Sequence, residues 1–83
     1  MRAATLSSSL ISRIAYDEDA SILRIWFRSG SLYLYFDVPR GEYDALRTAQ
    51  SAGQHYNARI KGRYRCAFDP ARRRFRPQLE AAG

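Results

Sequence analysis

The most restrictive feature of this sequence is a short turn between two segments whose side-chain pattern has the two-residue period of a β-strand. Ser29-Gly30 separates residues 22–28 from residues 31–38. Gly30 can adopt the positive φ that a tight hairpin turn requires. Because both segments are rich in apolar and aromatic residues, the pattern predicts a β-hairpin that any fold of this chain must contain.

Another predicted strand precedes this hairpin. Residues 10–16 alternate along the chain, and the polar residues 17–21 form the turn that joins them to the hairpin. The alternation places one set of side chains on one face, comprising Leu10, Ser12, Ile14 and Tyr16. It places a second set on the opposite face, comprising Ile11, Arg13 and Ala15.

Two short helices are predicted after the hairpin. Pro39 ends the sheet and opens the first helix, since a proline is tolerated in the first helical turn. Gly53 is expected to break or cap that helix. Residues 55–60 then form a second helix that ends at Gly62, in which Tyr56 and Ile60 face inward.

The order of these elements predicts an α+β fold with a three-stranded antiparallel β-meander followed by two short helices on one sheet face. The sheet has four strands if residues 63–68 add an edge strand. We expect a flexible N-terminus at residues 1–5, a folded domain at residues 6–68 and a disordered basic tail at residues 69–83. With 83 residues the chain forms one domain and is too short for a two-domain enzyme or a doubly wound dinucleotide fold.

The positive charge is concentrated at one end of the chain. The net charge of +6 comes from 14 basic and 8 acidic side chains. Residues 1–52 hold six of each sign, whereas residues 53–83 hold eight basic and two acidic side chains. This C-terminal excess favours an anionic partner, either a nucleic acid or an acidic protein.

Several short motifs, taken in their order along the chain, resemble a known family. They are Ser7-Ser8-Ser9, Tyr33-Leu34-Tyr35-Phe36, Asp37-Val38-Pro39, and then Gly53, Tyr56, Asn57, Ile60, Lys61, Gly62 and Tyr64. This series is similar to the KTSC domain, which occurs as a stand-alone bacterial protein and at the C-terminus of some lysyl-tRNA synthetases. The resemblance covers about residues 6–66 and implies, by analogy, that the partner is RNA, with tRNA as the specific candidate.

Basic residues interleaved with aromatic ones form the predicted nucleic-acid site. Alternating Arg and Lys side chains after the second helix would bind the phosphates of the RNA backbone. Two tyrosines on one strand face would form a platform on which bases stack, or would instead pack under the helices. The predicted site consists of Tyr33, Tyr35, His55, Tyr56, Arg59, Lys61, Arg63 and Arg65.

Other classes of function have weaker support in the sequence. A protein-interaction module, the alternative hypothesis, would use an exposed sheet face or edge to dock an acidic or extended partner. His55 and Cys66 could act as base and nucleophile, but no third orienting group stands out, so we expect no enzymatic activity.

No metal, cofactor or membrane is expected. The acidic residues 17–19 are typical of a solvated turn, and one His with one Cys does not complete a zinc site. A lone cysteine favours a reducing compartment, and no apolar segment approaches the length of a membrane helix. These features predict a cytoplasmic protein.

Overall fold

The computed structural model describes residues 1–69. In chain order the elements are strands β1 (Arg2–Thr5), β2 (Ile11–Asp17), β3 (Ile22–Phe27) and β4 (Leu32–Tyr35), helices α1 (Arg40–Thr48) and α2 (Ala52–His55), and strand β5 (Cys66–Phe68). Helix α2 continues without interruption into a π-helical turn, Tyr56–Ile60. The basic tail predicted for residues 69–83 lies outside the described residues, apart from Asp69.

The strands form one antiparallel sheet in the order β1-β2-β3-β4-β5. The predicted α+β meander with two short helices is therefore confirmed, and β5 lies within the edge segment predicted at residues 63–68. The sheet also contains β1, where we expected a flexible terminus. This strand pairs with β2 from Arg2↔Tyr16 to Thr5↔Arg13, because β2 would otherwise leave its backbone N–H and C=O groups unpaired.

A β-bulge in β2 changes which side chains of that strand enter the core. The register shifts between Ile11 and Arg13, so strict alternation does not extend through Ser12. Ile11 is consequently 0% exposed, while Leu10, which the alternation placed on the same face as Ile14 and Tyr16, is 36% exposed. The prediction for these two positions was wrong because the bulge adds one residue to the alternation.

Both helices cover the same face of the sheet, which we call the inner face. Side chains of β2, β3 and β4 meet those of the helices in one core, formed by Ile11, Ile14, Tyr16, Leu23, Ile25, Tyr35, Val38, Tyr43, Leu46, Ala52, Tyr56 and Ile60. The Tyr16 ring stacks on Tyr43 of α1 with centroids 5.5 Å apart, and its hydroxyl donates to the Val38 carbonyl at 2.5 Å. These contacts fix α1 across the end of β2.

The interruption between the two helices lies before Gly53, not at it. Helix α1 ends at Thr48, and the following Ala49 has extended backbone angles. Ser51 then begins α2, because its hydroxyl accepts a hydrogen bond from the Gln54 N–H at 3.3 Å. Gly53 therefore lies inside α2, and the N-cap at Ser51 sets the boundary that the sequence analysis assigned to Gly53.

The bulge predicts unequal losses of stability for two adjacent truncations. We expect Ile11→Ala to lower the free energy of unfolding by about 2–5 kcal/mol, since it opens a cavity in the core. Leu10→Ala should cost about 1 kcal/mol or less, because Leu10 is largely outside the core. Urea denaturation of both variants measures the difference. A larger cost for Leu10→Ala would show that β2 continues without the bulge.

Candidate nucleic-acid interface

A groove of about 540 Å³ lies between the β3–β4 hairpin and the π-helical turn. We call it the aromatic groove, because four rings line it: Phe27, Tyr33, Tyr35 and Tyr56. Two cationic side chains, Arg28 and Lys61, also line it, and both residues are exposed. The fold thus brings together Tyr33, Tyr35, Tyr56 and Lys61 from the predicted site.

Two of these rings form the buried floor of the aromatic groove. Tyr35 is 3% exposed and Tyr56 is 8% exposed, and their hydroxyl oxygens are 2.6 Å apart in a buried hydrogen bond. Burial and this hydrogen bond raise the pKa of Tyr35 far above that of an ordinary tyrosine. Tyr35 therefore packs under the helices, one of the two alternatives stated for it, and Tyr56 faces inward as predicted. Their inclusion in the predicted nucleic-acid site was wrong, because neither buried ring offers a face to a base.

Tyr33, unlike Tyr35, is half-buried, and its role in base stacking stays a prediction. Its ring is half-buried and meets Phe27 and Phe68 edge to face, with centroids 5.8 Å and 5.3 Å apart. Phe27 is also half-buried and contacts Tyr56 in the same way at 5.3 Å. Tyr33 and Phe27 are thus the aromatic side chains of the groove that solvent partly reaches, and their positions are fixed by neighbouring rings.

Arg28 is a groove residue that the sequence analysis did not single out. Its guanidinium donates to the carbonyl oxygens of Ser8 and Leu6 at 2.9 Å and 3.0 Å, which holds the chain before β2 against the hairpin. The remaining donors of its planar fork are available beside the groove. The sequence signal that could have identified Arg28 is its position directly after β3, next to the hairpin turn.

Lys61 is placed at the groove by the end of the π-helical turn. Its backbone N–H donates to the Tyr56 carbonyl at 2.8 Å, a five-residue step that closes the turn. Gly62 follows with φ of +77°, which reverses the chain toward β5 at low conformational cost. Lys61 is therefore an exposed cationic residue that lines the aromatic groove.

The other three basic residues of the predicted site do not line this groove. Arg59 and Arg63 are exposed on either side of Lys61, and the Arg63 N–H donates to the Ile60 carbonyl at 3.0 Å. The Arg65 guanidinium lies 5.1 Å from the centroid of the Phe36 ring. Cys66, the next residue, lines the groove, so the alternation of β5 directs Arg65 to the opposite face of the sheet.

His55 is occupied by an interaction inside the protein. Its Nε2 atom is 2.6 Å from Oε2 of Glu42, and the Tyr64 hydroxyl donates to Oε1 of the same carboxylate at 3.3 Å. The side chains of His55 and Glu42 are 17% and 10% exposed. Burial and the Glu42 carboxylate raise the pKa of Tyr64. His55 thus joins α2 to α1 and is poorly placed to contact a phosphate, which corrects the prediction.

Glu42 is also the orienting group for His55 that the sequence did not reveal, because thirteen positions separate the two residues. Cys66 is exposed and lines the aromatic groove, whereas His55 does not line it. Within residues 1–69 no hydrogen bond joins His55 to Cys66. The geometry assembles no pair of nucleophile and base from these two residues.

Residues 1–69 contain neither a cluster of metal-binding side chains nor a helix that could span a membrane. That part of the chain contains no group of three or more His, Cys, Asp or Glu side chains that could hold a metal ion. Asp17 uses its carboxylate to accept the N–H groups of Asp19 and Ala20 at 3.1 Å and 3.3 Å, as expected for a turn. Neither described helix has the length and apolar character needed to cross a membrane.

Residues 7–64 match the KTSC domain. The chain is 42% identical to a lysine–tRNA ligase of Nostoc punctiforme over 57 residues. The matched segment makes up 69% of this chain and 10% of the ligase. A protein of Tsukamurella paurometabola is 38% identical over 60 residues, 72% of this chain and 90% of that protein. The crystal structure of a KTSC domain protein from Yersinia pestis superposes with a TM-score of 0.78 at 34% identity, covering 82% of this chain and 96% of that one.

The buried hydroxyl pair predicts strongly non-additive mutations. Tyr35→Phe and Tyr56→Phe should each lower the free energy of unfolding by about 1–3 kcal/mol, because each leaves one buried hydroxyl without its partner. The double variant should be close to the more stable single variant, since both polar groups are gone. Thermal or urea denaturation of the four proteins measures this cycle. Additive losses would mean that each hydroxyl has another partner.

His55 is predicted to contribute to stability and not to ligand binding. His55→Gln should lower the free energy of unfolding by about 1–2 kcal/mol, because the Glu42 carboxylate loses a close partner in a poorly hydrated position. The affinity for an RNA oligonucleotide should stay unchanged, and Lys61→Gln should show the reverse pattern. Paired denaturation and fluorescence-anisotropy measurements separate the two roles. A loss of affinity without a loss of stability would show that His55 belongs to the binding site after all.

Proposed function

The chain belongs to the KTSC domain family, and on that premise we propose that it is a non-catalytic module that binds single-stranded RNA. The observation that carries this proposal is the aromatic groove, where half-buried rings of Phe27 and Tyr33 lie beside the cations Arg28 and Lys61. Unpaired bases stack on aromatic rings, and phosphates bind Arg and Lys. The groove supplies both kinds of contact within one concave surface.

The charges next to the groove support an anionic ligand. Arg59, Lys61 and Arg63 follow one another at alternate positions and are exposed. No carboxylate within residues 1–69 forms an ion pair with any of the three. By contrast, the basic residues Arg40 and Arg47 of α1 pair with Asp44 at 3.5 Å and 3.3 Å. These three cationic residues are therefore the proposed contacts for the phosphodiester backbone of RNA.

The relatives are the reason for proposing RNA, and tRNA in particular, as the ligand. The chain spans 10% of the length of the lysine–tRNA ligase that it matches, so that enzyme's activity lies mostly in sequence that this chain lacks. The ligase name specifies tRNA, which makes tRNA the first RNA to test. A cytoplasmic location, where tRNA is available, forms part of the proposal. The Tsukamurella paurometabola protein and the Yersinia pestis protein contain little beyond this domain, since the chain covers 90% of the first and 96% of the second.

Salt dependence tests the proposed mode of binding. If RNA binds through about four to six phosphates, the logarithm of the association constant should fall with the logarithm of salt concentration with a slope of about −3 to −4. Lys61→Gln with Arg63→Gln should reduce the magnitude of that slope by about 1.4 and leave the melting temperature nearly unchanged. Anisotropy titrations of a labelled single-stranded RNA at several salt concentrations give both slopes.

The matched control removes the same charge from another surface. Arg40→Gln with Arg47→Gln also lowers the net charge by two, but both residues lie on α1 outside the groove. An equal change of slope in both double variants would indicate diffuse attraction without a defined site. No binding at low salt, together with recovery of one defined protein partner after nuclease treatment, would instead favour the protein-interaction module.

A further inference from the structure

The sheet face opposite the helices carries a second arrangement of cations and rings, which we call the outer face. Strand register defines two rows across it. One row is Ala15–Arg24–Leu34–Ala67 and the other is Arg13–Trp26–Leu32. A third row continues beyond the ends of the strands, where the Phe36 N–H donates to the Arg65 carbonyl at 2.9 Å. Trp26, Leu34 and Phe36 are half-buried, so solvent reaches part of each.

Each row contains one arginine, and the three form a diagonal across the sheet. Arg13 lies on β2, Arg24 on β3 one row further, and Arg65 precedes β5 in the third row. Strands about 4.8 Å apart and a rise of about 3.3 Å per residue make this diagonal about 20 Å long. The outer face thus presents a narrow line of positive charge and not a diffuse basic patch.

Planar guanidinium groups lie over rings at both ends of this diagonal. The Arg13 guanidinium carbon is 4.7 Å from the centroid of the Trp26 ring, and that of Arg65 is 5.1 Å from the Phe36 centroid. Such cation–π pairs are attractive and position each guanidinium group against its ring. A flat group with a negative charge attached could stack in both places.

The carboxylates near the outer face leave most of the diagonal uncompensated. Asp17 lies opposite Ile22 at one corner and uses its carboxylate within the turn, and Asp69 lies at the other corner beside Leu32. Asp37 is 3.9 Å from Arg65, with both side chains largely exposed. Within residues 1–69, Arg13 and Arg24 form no ion pair with any carboxylate.

The charge of this face decides between its possible occupants. A second copy of the chain would place one diagonal of arginines against another, which like-charge repulsion opposes. A single-stranded nucleic acid carries negative charge and flat bases together, which matches the alternation of arginines and rings.

We propose that the outer face is a second contact surface for single-stranded RNA, on which a base stacks on the Arg13–Trp26 pair while Arg24 and Arg65 bind phosphates. This inference rests on the proposed function. The segment from Lys61 to Arg65 connects the two surfaces around the β5 edge, since Lys61 lines the aromatic groove and Arg65 lies over Phe36. An RNA strand that follows this segment reaches both.

Trp26 is the single tryptophan of the 83 residues, so its fluorescence reports on the outer face without any modification of the protein. We would titrate the full chain with an unlabelled oligouridylate of about 12 nucleotides, within the site sizes typical of single-strand-binding folds. An abasic oligomer of equal length is the control for charge alone. Free N-acetyltryptophanamide in the same titration corrects for absorbance.

The proposal expects the oligouridylate to quench Trp26 saturably and the abasic oligomer to bind without comparable quenching. If a labelled oligouridylate binds by anisotropy while Trp26 fluorescence stays constant, the outer face is not a contact surface and the proposed function still stands. If neither measurement shows binding, both proposals fail. Sedimentation that shows dimers of the chain without RNA, with Trp26 protected from acrylamide, would also overturn this inference in favour of a second copy.

Variants test the two kinds of contact separately. Trp26→Leu should weaken binding of oligouridylate by about 5- to 150-fold, the range for loss of one stacked base, whereas Trp26→Phe should restore most of the affinity. Arg13→Gln with Arg24→Gln should weaken binding and reduce the salt slope, while Arg40→Gln with Arg47→Gln should affect neither comparably. Circular dichroism verifies folding. Equal affinities for the Leu and Phe variants would exclude stacking at Trp26.

Discussion

The packing of two short helices on one face of the sheet is the interaction on which the rest of this structure depends. A domain of this size hides only about 60–65% of the surface that its unfolded chain exposes, so its stability depends on gathering many of its large apolar side chains in one core. The inner face supplies them, and tyrosines complete it. Tyr16 and Tyr35 each bury a ring and give the hydroxyl a partner, Val38 and Tyr56 respectively. Burial and hydrogen bonding are satisfied together.

The burial of those tyrosines determines which rings remain partly accessible to solvent. Because Tyr35 and Tyr56 close the core, the rings of the aromatic groove that solvent partly reaches are Phe27 and Tyr33, and the proposed base stacking would use these two. The helices lie on the inner face, and Trp26 is half-buried on the outer face under Arg13. Rings near the surface are thus found on both sides of the sheet, and the basic residues after the π-helical turn lie between them.

Local patterns were sufficient for the α+β class, the hairpin at Gly30 and the approximate helices, since each depends on side-chain period or on a residue with special backbone preferences. They failed at β1, whose four residues have no strong strand pattern and are ordered by pairing with β2. They failed also at Ile11, because a bulge changes the alternation without any marked residue. The role of His55 could not be predicted from local patterns, because its partner Glu42 lies on another helix.

The sequence by itself determined the family, the order of most elements and the concentration of positive charge after residue 52. These follow from residue identity and spacing, which need no knowledge of distant contacts. The tertiary structure decided which tyrosines are buried, that Arg28 joins Lys61 at one groove, and that Arg65 lies on the opposite face from Cys66. Whether a residue is buried, and on which face of the sheet it lies, depend on strand register and on the elements that pack against it. Register and packing are set by parts of the chain that are far away in sequence.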